Sequence, residues 1–517
     1  MSKTMLKVVS YMLLIVFMVT ACSPTTPAAS TAAPTVAPTT APKPVKDTLV
    51  VAMTTDATIL DPQKQGKMPD MNILINIFDT LVTRDDKGQL APGLATEWKA
   101  TSDNVWQFKI RKDVKFHNGE PLNAEAVKFS LDRLNNPNTK SPIVELKNVK
   151  EVKVVDDYTV DIITDGPDPI FPNKTVLFGG VIMPPKYVQE KGDDFVAKNP
   201  VGTGPFKFVS WTKDNQVVME ANADYFRGAP KFKKLTFRII PNVADMVAAL
   251  KVGEIDIAAA GITGDIAKSL KGNPDINIVT ADWIRTFYIN LDSTVAPLDK
   301  KEVRQALNYA VDVQAVLDTI LGGYGKRVST IIPKQNFGND ANIKPYEYNP
   351  TKAKELLTQA GYPNGFTIQF DADTLDTVVI QAFAAQLEKV GVKCTLNFTS
   401  NATLVSNMAA KKVAPLYYIG NTGWTLDGLS NFQSYVRSDR RYARLNNPEL
   451  DKLVDIEEKT IDPVKRQEAF TKAQQILKDE AYFIYLYQLD NIYAMRNTVS
   501  FSPNPIGVLW MYTAAPK

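Results

Sequence analysis

Two β-prone runs, Phe366 to Phe370 and Val392 to Phe398, flank an apolar-periodic stretch, Val378 to Val390, that closes on Gly391. Strand, helix and strand in that order form a unit whose connection is the right-handed parallel crossover. A chain containing it is expected to build a parallel sheet with helices laid on its faces, an α/β architecture.

The rest of the body keeps this mixture. Thr48-Leu49-Val50-Val51-Ala52 reads as a first strand, followed by polar Thr54, Thr55 and Asp56. Val105 to Arg111 alternates apolar with polar, and Val114-Lys115-Phe116 leads into the turn His117-Asn118-Gly119, so a half-buried hairpin is expected there. Ala124 to Leu134 has helical spacing, and Val152 to Ile163 returns to alternation. Val217 to Met219, Leu235 to Ile240, Ile255 to Ile257 and Ile276 to Val279 read as strands, with a helix from about Ala244 to Val252 stopped by Gly253. Asp299 and Glu302 form an expected capping pair for a helix through Val303 to Val311. Asn349 caps another that starts at Pro350 and ends at Gly361. Further helices are expected near Glu449 to Thr460 and Pro463 to Asp479, before an apolar run at Tyr482 to Tyr487.

The N-terminus follows a different logic. Lys3 and Lys7 precede Val8 to Thr20, an apolar run of 13 residues, which reads as a secretory signal and is too short to span a bilayer. It ends in Val19-Thr20-Ala21-Cys22, which resembles the bacterial lipobox, whose cysteine is lipidated and becomes the first mature residue. From Ser23 to Lys46 six prolines stand among Ala, Ser and Thr with no aromatic residue, so those 24 residues cannot pack a core. They read as a tether that reaches on the order of 75 Å.

Residue counts remove several classes of function. The chain has 59 basic and 56 acidic residues, and losing Lys3 and Lys7 with residues 1 to 21 leaves 57 against 56. That balance provides no concentrated basic surface for nucleic acid. Two cysteines cannot make a disulfide framework, and Cys394 reads as a buried unpaired thiol. One histidine, His117, rules out a multi-histidine metal site. Gly202-Thr203-Gly204 is followed by Pro205-Phe206 where a phosphate loop needs Gly-Lys-Ser/Thr. No catalytic residue, cofactor or metal site is assigned.

Several segments in order resemble one family, the family 5 extracellular solute-binding proteins of bacterial ABC importers. They are Asp61-Pro62, Pro92 to Trp98, Phe108 to Gly119, Pro200-Val201-Gly202-Thr203-Gly204-Pro205-Phe206, Val303 to Ala310 and Ala353 to Tyr362. The resemblance covers nearly the whole mature chain. It implies a type II-like periplasmic-binding-protein fold (cluster C), with two hinged lobes and an inserted extra domain. Carried onto this chain, domain I holds residues 47–81, 199–283 and 491–517, domain II 82–198 and domain III 284–490, after a signal at 1–21 and a tether at 22–46. It further implies a monomeric receptor, lipid-anchored through Cys22 outside the cytoplasmic membrane, that hands a small solute to importer permease subunits.

Trp424-Thr425-Leu426-Asp427 resembles the W-x-x-D segment of peptide-binding members, whose aspartate receives a peptide ammonium. Asp427 is equally consistent with a loop aspartate capping a turn before Gly428. Trp424 could stack on a peptide side chain or a sugar face, or pack in the core. Tyr417 and Tyr418 at a strand end, Arg285, Tyr288 and Asn290 near the expected crossing, and Thr54, Thr55 and Thr58 after the first strand complete the candidate set. A short peptide is the expected ligand, an oligosaccharide the alternative, and an anchored hydrolase the competing class of function.

Overall fold

Two long strands, Ile276–Leu291 and Phe483–Arg496, carry the organisation of the molecule. They run antiparallel from Ile276 opposite Arg496 to Asp282 opposite Asp490, lose register, and resume at Thr286 opposite Gln488. Residues 283–285 thus stand against Leu489 alone, a bulge that bends the ribbon at its middle. The computed structural model describes residues 46–85 and 88–517; the apolar leader, Cys22 and the proline-rich stretch up to residue 45 lie outside them.

Different sheet neighbours flank the ribbon on either side of the bulge. Beyond Met495 and Ala494 lie Ile257–Ala258, Thr48–Met53, Lys234–Ile239, Gln216–Ala221 and Phe206–Thr212. On the other side lie Leu416–Thr422, Phe366–Asp373 and Val392–Thr399. The register also fixes the direction of these strands. Going from Ile257 to Ala258 moves from Met495 to Ala494, towards the bulge, and Thr48–Met53 and Lys234–Ile239 run parallel with that step. Going from Leu416 to Thr422 moves from Leu291 to Arg285, again towards the bulge, and Phe366–Asp373 and Val392–Thr399 run the same way. The carboxyl ends of both parallel sets therefore converge on the bend from opposite sides, where open α/β sheets bind their ligands.

Each part has its own core. Alternation along the second half of Ile276–Leu291 sends Phe287 and Ile289 into one cluster with Leu307, Phe370 and Phe383, and Tyr288 into another with Phe432, Phe470 and Phe483. Fully burying each such side chain contributes about 1.5–3 kcal/mol. A separate four-stranded antiparallel sheet, Ala95–Ser102, Val105–Ile110, Thr159–Thr164 and Val149–Asp156, packs with helix Ala124–Asn135 around Phe108, Val127, Leu131 and Ile162.

Most local expectations hold, and their failures have physical causes. Asn349 caps helix Pro350–Gln359 by accepting from the Lys352 N–H, and Gly361 follows in the left-handed region. The expected Asp299/Glu302 capping pair does not form: that helix starts at Lys301 after Lys300, with no side-chain cap. Val105–Ile110 makes no hairpin with 114–116, because its partners are Ala95–Ser102 and Thr159–Thr164. The turn at 117–119 does close, with the Gly119 N–H donating to the Phe116 carbonyl. Cys394 is a free thiol but half-buried rather than fully buried, and burial pushes it up to about 12.

The Gly-Thr-Gly segment has a packing role. A Cβ on Gly202 would stand 2.2 Å from the Ile77 carbonyl oxygen, and one on Gly204 2.6 Å from the Ile77 carbonyl carbon. His117 docks on the same segment, donating its backbone N–H to the Gly202 carbonyl while its Nε2 lies 2.9 Å from the Gly204 carbonyl oxygen. Burial pushes the imidazole down to about 4, so it is neutral near pH 7.

Candidate functional site

The bend between the two strand sets gathers part of the expected site. On one side Thr54 and Thr55 follow Met53 at the end of the first strand, half-buried and exposed respectively. Thr58 lies further along the loop and is tied down, its Oγ1 3.1 Å from both oxygens of Asp70. On the other side stand Arg285, Asn421, Thr422 and Trp424, with Asp376 in the short turn Thr374–Asp376 after strand Phe366–Asp373.

Arg285 continues the row Ile289, Phe287, Arg285 on one face of its strand. Its guanidinium carbon lies 5.3 Å from the Trp283 ring centre and 4.8 Å from that of Phe287, within cation–π range. Phe287 in turn stacks on Tyr418 at 5.5 Å. The neighbouring strand leaves room by having no side chain at Gly420, where a Cβ would come 2.5 Å from Arg285 Nε.

The other candidates sit elsewhere. Tyr418 is 2% exposed, and its hydroxyl meets that of Tyr487 at 2.7 Å inside the lobe. Tyr417 points to the opposite face and donates to the Tyr442 carbonyl. Tyr288 packs edge-on against Tyr435 and Phe483, and Asn290 is buried beside them. These four residues build the core beneath the site. Trp424 packs edge-on against Phe178, ring centres 5.6 Å apart. The Thr425 carbonyl next to it accepts hydrogen bonds from the Arg84 guanidinium and, at 2.9 Å, from Asn173 Nδ2. The 424–426 segment therefore rests on the part of the chain that carries the four-stranded sheet.

Asp427 faces inward. Arg466 Nη2 and Nη1 donate to its two carboxylate oxygens at 2.8 and 3.0 Å, and the Leu429 N–H adds a third bond. Both members of the pair are almost wholly buried. This bidentate contact neutralises the carboxylate within the lobe and engages both oxygens. The carboxylate is thus engaged inside the lobe, and the turn-capping alternative matches the Leu429 contact.

Asp376, Trp283 and Gln488 are strand-end or bulge residues that no sequence motif marks. The strand-end rule that selects Thr54 also selects Asp376 once the extent of Phe366–Asp373 is known. Among the described residues there is no cluster of metal-ligating side chains, and no helix is long and apolar enough to cross a membrane.

Two lobes whose parallel strands end on a shared two-strand bend, with a further small sheet attached, define a periplasmic-binding-protein architecture. The model of the bacterial extracellular solute-binding proteins, family 5, matches residues 89–443. The chain belongs to that family, and it is a solute-binding protein rather than an enzyme. It is 30% identical to a glutathione-binding protein, GsiB, of Pectobacterium atrosepticum over 84% of this chain and 88% of that one. It is also 30% identical to a probable D,D-dipeptide-binding periplasmic protein, DdpA, of Escherichia coli, over 89% of this chain and 92% of the other. Among solved structures, HbpA2 from Haemophilus parasuis superposes with a TM-score of 0.84 at 27% identity, covering 91% of this chain and all of that one.

Proposed function

We propose that this chain is a lipid-anchored receptor of an ABC importer that encloses a short peptide between its lobes and presents it to the permease. The observation that carries the reading is the convergence of both parallel strand sets on the bulge at 283–285. A ligand held there touches both lobes, so its binding energy favours the closed form over the open one. The names of the 30% identical relatives, glutathione-binding and D,D-dipeptide-binding, support a peptide as cargo. Anchoring through Cys22 after cleavage at Ala21, and the monomeric state, complete the proposal.

In this reading domain I comprises residues 47–81, 199–283 and 491–517, domain II 82–198 and domain III 284–490, with the hinge at the bulge. The contact of 424–426 with Arg84 and Asn173 then joins domain III to domain II and belongs to the closed form. Arg84 donates to the Gly88 and Thr425 carbonyls, and burial lowers its guanidinium to about 10. Arg84→Gln is expected to weaken peptide binding about fivefold, the scale of one hydrogen bond, with little change in thermal stability. Isothermal titration on the purified chain measures it.

Native mass spectrometry of the protein purified from its own cells tests the cargo. Adducts with peptide masses that disappear on mild denaturation are expected, whereas saccharide masses alone would contradict the peptide reading. No observation favours the oligosaccharide alternative, because Trp424 is packed against Phe178.

A further inference from the structure

Two charged side-chain groups at the carboxyl end of the second strand set make no hydrogen bond or ion pair with the described residues. Buried arginines elsewhere in the molecule are matched: Arg133 with Asp61, Arg304 with Glu480, Arg466 with Asp427. Arg285 is different. Its guanidinium is held over Trp283 and Phe287 and half-buried, yet it makes no hydrogen bond or ion pair with any described residue. The absence of a side chain at Gly420 keeps that position open to it. A planar donor set fixed by ring packing, with its N–H groups unspent, is suited to a carboxylate.

Asp376 is the complementary case. It is half-buried in the turn after Phe366–Asp373, forms no cap bond with the helix Thr377–Glu388 that follows, and has no ion pair among the described residues. Its neighbour Asp373 is already engaged with the Leu375 N–H and the Thr374 hydroxyl. Leu375, adjoining Asp376, is 91% exposed, and Val378 is 63% exposed, so an apolar lip borders the free carboxylate. Arg285 lies close enough to Asp376 for its charge to act on that carboxyl, yet no hydrogen bond or ion pair joins the two.

We propose that Arg285 and Asp376 form a two-ended clamp for a zwitterionic ligand, Arg285 taking a carboxylate and Asp376 an ammonium group. Leu375 and Val378 contact an apolar side chain of the same molecule. The clamp rests on the peptide reading above and narrows it to peptides with both ends free, or to an amino-acid-like end of a longer one. It also gives Asp376 the ammonium contact expected of Asp427, whose carboxylate is bound to Arg466.

The charges around Asp376 set a pH dependence. Arg285 and Asp373 face it, with the hydroxyls of Tyr418 and Tyr487 behind. Burial raises its carboxyl to about 6, with Arg285 opposing the shift. The anion that binds an ammonium is present above that value and lost below it, so affinity falls as pH drops through about 6.

The test is isothermal titration of the full chain with glutathione, D-alanyl-D-alanine and a mixed tripeptide library, then with the N-acetylated and C-amidated forms of whatever binds. Arg285→Gln is expected to cost at least tenfold in affinity. Amidation should cost the wild type similarly but Arg285→Gln nothing further, and Asp376→Asn should stand in the same relation to N-acetylation and lose the pH dependence. Arg285→Lys, which keeps the charge, should restore part of the loss. Wild-type binding with both variants within twofold of it would overturn the clamp and leave the peptide reading intact. Binding of none of these probes by the wild type would overturn both.

Discussion

Arg466→Ala is expected to lower the stability of the folded body by about 3–5 kcal/mol, the usual cost of breaking a buried ion pair from one side. The substitution removes both guanidinium contacts and leaves the Asp427 carboxylate buried with only the Leu429 N–H as partner. Glu457 makes matters worse. Its side chain is fully buried and neither carboxyl oxygen has a hydrogen-bond partner among the described residues. Burial holds its carboxyl well above the usual carboxylate range, and Arg466 is the main opposing influence. Removing Arg466 thus leaves two acids in one dry space. Urea denaturation followed by tryptophan fluorescence measures the loss. The double variant Arg466→Met with Asp427→Leu is expected to recover most of it, because replacing both partners removes the stranded charge.

Glu457 also gives the fold a pH slope of known sign. Its folded value lies above its unfolded one, so the folded state holds a proton that the unfolded chain releases above about pH 4.5. The associated stability is present at acid pH and declines as pH rises. Glu457→Gln is expected to flatten that part of the curve, and a slope unchanged by the substitution would place its origin in another group.

Gly202→Ala is the second large effect. The added methyl would stand 2.2 Å from the Ile77 carbonyl oxygen and 2.7 Å from the Phe78 ring, and the nearest obstacle is backbone that cannot rotate away. Accommodation requires the 202–206 segment to move off residues 76–79. That movement strains the His117 contacts and the Thr203 hydroxyl bond to the buried Asp79 carboxylate, 2.9 Å long. Overpacking of this kind costs about 1–3 kcal/mol, and more where backbone must shift. Gly119→Ala is the control: Gly119 has a left-handed φ of 90° with nothing within 4 Å of an added Cβ, so it reports backbone strain without crowding. A shift in urea midpoint for Gly202→Ala no larger than for Gly119→Ala would contradict the crowding argument.

Local pattern made some of this legible and hid the rest. Helices such as Pro350–Gln359 and Pro463–Asp479 announce themselves by cap, proline and spacing, all within a few residues. The full length of Ile276–Leu291 does not, because Asp282, Trp283 and Arg285 break the apolar rhythm at the bend. In the proposed reading function interrupts the pattern there, since a ligand-binding bend must expose polar groups. The two candidate aspartates show the same limit. A motif points to Asp427, but its partner Arg466 lies 39 positions away in the helix Pro463–Asp479, and nothing local reveals that its charge is paired. Asp376 has no motif around it, and its place at the carboxyl end of Phe366–Asp373 follows only from strand order.

In the proposed mechanism the two lobes close about the bend when cargo binds. Pulsed electron resonance between spin labels at Thr55→Cys and Thr422→Cys, exposed positions on opposite sides of the bend, tests it most directly. Cys22 and Cys394 are replaced by serine in that chain. A broad distance distribution that narrows and shortens on adding a tight-binding peptide is the predicted result. The same distribution with and without the peptide would contradict it.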